Sequence, residues 1–218
     1  FWHGLGDKAS NIANVMGATE IAATQGVVFV APDSCCNHTA NKACCVTYTN
    51  WGFFSKPEPD VGLFDDVLSC LDRRYGIDRR RVYTAGFSAG ALWSTWLVMN
   101  RSEHLAASVL FSGGINDFVK WVAPTYRLPV LVAWGGAKDV FMNGLVDFAA
   151  SALTVKQKLR ENEQFVVSCN HGLGHTVPMS GPKWAMDFLL RHTWQDGSSS
   201  LATEGLGSVY PKYCDIEP

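Results

Sequence analysis

Gly86-Phe87-Ser88-Ala89-Gly90 sets one serine between two glycines, each two residues away. A serine hydroxyl is a weak nucleophile, so it needs a base to take its proton as it attacks an acyl carbon. The usual base is an imidazole. The imidazole needs a carboxylate to orient it, and the tetrahedral oxyanion needs N–H donors. Candidates for each part follow downstream. Asp139 comes shortly after an apolar run that ends at Trp134. His175 lies in Gly172-Leu173-Gly174-His175-Thr176-Val177-Pro178, beyond a run ending at Cys169, where glycines allow a close approach to Ser88.

Each choice has rivals. Asp147 falls inside a helical stretch and Asp117 in an earlier loop, so Asp139 is the better acid. His171, four residues before His175, is better suited to lining the site than to acting as base. His192 is expected late in a closing helix, at the surface. His104 and His38 have no supporting context. The oxyanion donors are expected to be the backbone N–H of Ala89, directly after the nucleophile, and that of Leu5 in His3-Gly4-Leu5-Gly6. His3 then holds its own loop in shape. Trp51, Phe87 and His171 are the expected substrate contacts. For Trp51, with Phe53 and Phe54, an aromatic wall and a simple anchor on the core remain equal readings.

These parts need a scaffold that brings loops together. Val82 to Ala85 is β-prone, and Ala91 to Met99 suits a helix. A sharp strand-to-helix turn between them places Ser88 at a helix N-terminus, where free N–H groups favour negative charge. Further strands are predicted at 26–32, 107–111, 129–134 and 164–169, and helices at 8–25, 60–75, 142–161 and 182–193. This alternation predicts a mainly parallel sheet flanked by helices. In such sheets the chemistry gathers at the C-terminal ends of the strands, where Ser88, Asp139 and His175 all fall. Phe1-Trp2 reads as the end of a strand, so the fold is expected to be truncated at its N-terminus, with further residues upstream. Residues 1–194 form the predicted domain. Residues 195–218, rich in Gly and Ser, read as a tail or linker.

At 218 residues, with 47% hydrophobic and 17% charged residues, the chain suits one globular domain. A net charge of −2 gives no reason to expect a nucleic-acid partner. No apolar run reaches the roughly 20 residues of a membrane span. Neither a metal nor a cofactor is required by the chemistry above. Cys35, Cys36, Cys44 and Cys45 crowd one long loop. With His38 they suggest zinc as a rival, but adjacent cysteines lack the usual two-residue ligand spacing, which favours disulfides and an oxidising compartment. Asn37-His38-Thr39 and Asn100-Arg101-Ser102 are glycosylation patterns that agree with a secreted glycoprotein.

His3-Gly4, Asp60-Val61-Gly62, Tyr75 to Asp78, Arg80 to Tyr83, Gly86 to Gly90 and Gly174 to Pro178 together resemble the polyhydroxybutyrate-depolymerase-like group of the α/β-hydrolase superfamily, which includes feruloyl and acetylxylan esterases. The matched pieces span most of residues 3–190. The resemblance implies a secreted, cofactor-independent serine esterase with Ser88, Asp139 and His175 as its triad, acting on a plant cell-wall polysaccharide ester or a polyester. His3 to Asp7 and Gly86-Phe87-Ser88 are also similar to acyl-protein thioesterases and carboxylesterases. From another class, a hydrolase scaffold that binds polysaccharide or polyester without cleaving it would need the same aromatic loop but no working triad.

Overall fold

The computed structural model describes residues 1–33, 59–194 and 198–218. The expectations for Trp51, Phe53, Phe54, His38, the sequon at Asn37 and the four clustered cysteines lie outside them.

Four parallel strands stand side by side: β1 (Tyr83–Phe87), β2 (Ala107–Phe111), β3 (Val130–Trp134) and, later in the chain, β6 (Val166–Asn170). β2 and β3 are buried along their whole length. Such strands need apolar residues at nearly every position, because both faces are covered. Leu110, Val130, Val132 and Val166 face one layer of helices, which contributes Phe64, Leu68, Trp93, Leu97, Val155 and Leu159. Those helices are α3 (Pro59–Tyr75), α4 (Ala89–Asn100) and α5 (Phe148–Glu161). Val109, Phe111, Leu131 and Val167 face the other layer, where Trp184 and Phe188 of α6 (Gly181–Leu190) and Ile12 of α1 (Ala9–Val15) complete a second core. Truncating a fully buried Trp such as Trp93 or Trp184 would cost about 3–5 kcal/mol.

The structure corrects several predicted elements. The helix expected over 8–25 is two helices, α1 and α2 (Ala18–Gln25), separated where Gly17 takes φ 65°. The helix expected from 142 starts at Phe148, because β4 (Val140–Phe141) and β5 (Val146–Asp147) form a hairpin first. Its turn holds Met142, Asn143 and Gly144 at positive φ, which no helix accepts. Asp147 caps α5 by accepting a hydrogen bond from the Ala150 N–H.

Residues 26–32 form no strand among the described residues. A strand needs a ladder of partners. This segment instead meets the sheet through Phe1, whose amine donates to the Val30 carbonyl at 2.8 Å and whose ring stacks on Phe29. Trp2 makes a parallel bridge to Gly86 at the edge of β1.

Of the expected tail or linker, residues 198–218 are described, and they are built into the fold. After α7 (Leu201–Glu204), β7 (Cys214–Ile216) pairs antiparallel with β6, and a disulfide joins Cys169 to Cys214. Glu217 pairs with Lys156 at 2.9 Å. Leu201, Tyr210 and Cys214 are buried, and these few anchors hold a stretch whose average composition is polar. Among the described residues no helix is long and apolar enough to cross a membrane.

Candidate active site

Ser88 sits at the tip between β1 and α4, with φ 57° and ψ −122°. A non-glycine residue in this region carries strain of about 1–3 kcal/mol and persists only where its surroundings impose it. The impositions are visible at the two glycines. A Cβ on Gly86 would lie 2.3 Å from the Gly90 carbonyl carbon, and one on Gly90 would lie 2.0 Å from the Trp2 carbonyl oxygen. The chain therefore folds back on itself and passes Trp2 at a distance only glycine permits. The turn leaves Ser88 buried at a helix N-terminus.

Asp139 and His175, the residues expected as acid and base, come from the loops after β3 and β6. These loops cross backbone on backbone: a Cβ on Gly135 would lie 1.9 Å from the Gly174 carbonyl oxygen, and the Gly174 N–H donates to the Gly135 carbonyl at 2.9 Å. Gly174 itself takes φ 78°. The crossing sets His175 between Asp139 and Ser88. His175 Nδ1 lies 2.7 Å from Asp139 Oδ1, and Nε2 lies 2.9 Å from Ser88 Oγ. A carboxylate only accepts, so Nδ1 carries the proton, and Nε2 is left to accept from the serine hydroxyl. Asp139 is wholly buried. Its other oxygen, Oδ2, accepts from the Gly135 N–H and from the Ser112 hydroxyl, each at 2.8 Å. A buried carboxylate with this many donors is held in one orientation.

Aromatic rings surround the imidazole. Phe148 stacks on it with centroids 4.4 Å apart; Phe87 lies at 4.9 Å and Phe141 at 5.8 Å. Packed on the imidazole in this way, they restrict the plane of the ring. Phe87, expected as a substrate contact, is thus packed against His175. Phe141 and Phe148 were not singled out in the sequence, and neither were Ser112 and Gly135. The hairpin that delivers Phe141 begins immediately after Asp139. An aromatic so close to the acid is the one signal that could have pointed to it.

The remaining candidates fall as follows. A Cβ on Gly4 would lie 3.4 Å from Ser88 Cβ, so the His3-to-Gly6 loop abuts the serine. His3 is buried and its Nδ1 donates to the Gly4 carbonyl at 2.8 Å, holding that loop. The N–H groups of Leu5 and Ala89 have no acceptor among the described residues. His171 is 8% exposed, accepts from the Leu173 N–H through Nδ1, and packs edge-on to Tyr213. Burial lowers its pKa, against the pull of nearby Asp139. It makes no hydrogen bond to Ser88, Asp139 or His175. Asp117 is a surface residue paired with Lys120, which holds its carboxyl below the usual range. His192, expected at the surface, is instead 2% exposed beneath Phe188 and Phe165. It lies just past α6, where the end of the helix folds into the second core. Among the described residues no cluster of His, Cys, Asp or Glu is placed to hold a metal ion.

A parallel sheet with helices on both faces, and a strained serine between strand and helix, define the α/β-hydrolase fold. Native pOPH has a TM-score of 0.72 to this chain at 19% identity, over 100% of this chain and 84% of its own. A Bacillus cereus carboxylesterase has a TM-score of 0.62 at 16% identity, over 86% and 84%. Esterase PE8 has 0.61 at 21% identity, over 87% and 89%. No protein-family model and no curated protein matches the sequence.

Proposed function

We propose that this chain is a serine hydrolase of carboxylic esters. The observation that carries the reading is the unbroken hydrogen-bonded path from Ser88 Oγ through His175 to Asp139, at 2.9 and 2.7 Å. As Ser88 Oγ bonds to the ester carbonyl carbon, its proton passes to His175 Nε2. The carbonyl π electrons move onto the oxygen, which the Leu5 and Ala89 N–H groups receive. Collapse of this adduct breaks the bond to the alcohol, and His175 returns the proton to the leaving oxygen. Water then attacks the acyl-enzyme with His175 again as base. Asp139 orients the imidazole and balances its charge in both steps. Losing one oxyanion donor would raise the barrier by about 2.7–4 kcal/mol.

The sequence resemblance to cell-wall and polyester esterases supports feruloyl, acetyl-xylan and polyhydroxyalkanoate-type esters as the substrates. The Cys169–Cys214 disulfide supports a secreted enzyme over an intracellular thioesterase. A screen over short p-nitrophenyl esters, methyl ferulate, acetylated xylan and a polyhydroxyalkanoate tests the substrate class. Labelling of Ser88 by a fluorophosphonate tests the chemistry. A folded protein that neither labels nor cleaves any of these esters would return the chain to the binding-protein reading.

A further inference from the structure

Ser112 has no part in the reaction just described, yet it sits at the end of β2 in an unfavourable backbone conformation, φ 51°. Two features explain why the backbone bends there. A Cβ on Gly113 would lie 2.5 Å from the Ala91 side chain, and one on Gly114 would lie 2.2 Å from the Ser151 carbonyl oxygen. The chain is leaving the sheet through a gap between α4 and α5 that is one backbone wide. At the first residue of this passage glycine would accept the positive φ without strain. A serine stands there instead, so the position gains something from the side chain.

The gain is at Asp139. Ser112 is wholly buried, and its Oγ donates to Asp139 Oδ2 at 2.8 Å. The torsion that turns a carboxylate about its Cβ–Cγ bond is soft and roughly two-fold. One donor on Oδ2, the Gly135 N–H, leaves that rotation open. A second donor from a different loop closes it, and with both sites on Oδ2 filled, Oδ1 is the oxygen left for His175 Nδ1. The Ser112 N–H donates to the Ala133 carbonyl at 2.8 Å, so the hydroxyl is anchored to the central strands rather than to a loose loop.

We infer that Ser112 is a positioning residue for the proposed hydrolysis, locking the Asp139 carboxylate so that Oδ1 faces His175. The inference rests on the ester-hydrolase reading. It extends the hydrogen-bonded path by one residue, from Ser88 through His175 and Asp139 to the end of β2.

The test compares Ser112→Gly and Ser112→Ala with the parent protein. Glycine removes the hydroxyl and relaxes the backbone, whereas alanine removes the hydroxyl and keeps the strain. The two variants should differ in melting temperature and agree in activity. For both, kcat on a p-nitrophenyl ester should fall about 10-fold while KM stays near the parent value, because a hydrogen bond to a charged group is lost only from the acid that supports the transition state. In both, the low-field proton resonance of His175 Nδ1–H should move upfield as its bond to Asp139 loosens. An unchanged kcat overturns the inference. So does a loss of activity that follows melting temperature from variant to variant with the resonance in place, since that is a purely structural role. Ser88→Ala runs in parallel. If it keeps the parent activity, the hydrolase reading fails, while the resonance still reports whether Ser112 holds the Asp139–His175 pair.

Discussion

Among the described residues, two serine–histidine pairs share a hydrogen-bond pattern and differ in their surroundings. In one, Ser88 Oγ meets His175 Nε2 at 2.9 Å. In the other, Ser199 Oγ meets His192 Nε2 at 2.7 Å. Both rings carry the proton on Nδ1. Behind His175 stands the buried carboxylate of Asp139, whereas His192 Nδ1 donates to the Phe188 carbonyl, four residues back along α6. A carbonyl orients a ring but brings no full negative charge to balance an imidazolium. Burial accordingly pushes the His192 pKa down to about 4, the Phe188 carbonyl only partly offsetting it. Ser88 is also strained and set at a helix N-terminus, near the Leu5 and Ala89 N–H groups, which have no acceptor among the described residues. Ser199 instead accepts from the Leu201 N–H and helps to start a short helix. A close serine–imidazole contact therefore does not mark an active site. On the proposed reading, the third residue and the donors around the serine separate a proton relay from a structural clasp.

That contrast can be broken most sharply at the serines. Ser88→Ala should lower kcat on p-nitrophenyl acetate by about 10⁶-fold with little change in melting temperature. Rates near the parent value would erase the difference between the two pairs. Asp139→Asn should cost about 10⁴-fold in kcat, because an amide can stabilise the wrong tautomer of His175. Cys214→Ser addresses the frame around the His175 loop. Opening a bridge with a sequence separation of 45 should cost about 4 kcal/mol in urea unfolding under the chain-entropy account.

The His192 pair predicts a pH effect of definite sign. Its folded pKa is lowered from 6.5 to about 4, so the unfolded chain binds the proton more tightly. The stability it confers is present above pH 6.5 and is lost as pH falls toward 4. The loss should reach about 3 kcal/mol and should be absent from His192→Gln, as read by urea unfolding across that window. The smallest effect is expected for Ser199→Ala: about 1 kcal/mol of stability and no change in ester hydrolysis. A loss of activity there would give the second pair a part in the chemistry.

Much of the arrangement could be read along the chain. The two glycines around Ser88 report a turn too tight for side chains, and the position of Asp139 and His175 after apolar runs puts them at one end of the sheet. Local pattern is enough for this, because strand ends and turns are set by nearby residues. It failed at 26–32, where a β-prone run finds no ladder, and at 195–218, where Gly and Ser concealed a strand, a disulfide and three buried anchors. In both stretches the outcome depends on partners far away in sequence. The same holds for His192, which meets Phe165 and Ser199 as well as Phe188 of the preceding helix.

The amino-acid order alone determined which side chains could do acyl-transfer chemistry and which loops would carry them. Residue type and spacing are local properties, and the backbone reads them directly. Only the tertiary structure decided that Gly135 and Gly174 let the Asp139 and His175 loops touch, that Phe87, Phe141 and Phe148 pack around the imidazole, and that Ser112 reaches Asp139. Those contacts join residues 27 to 88 positions apart, and they exist only once the sheet and its helices have packed.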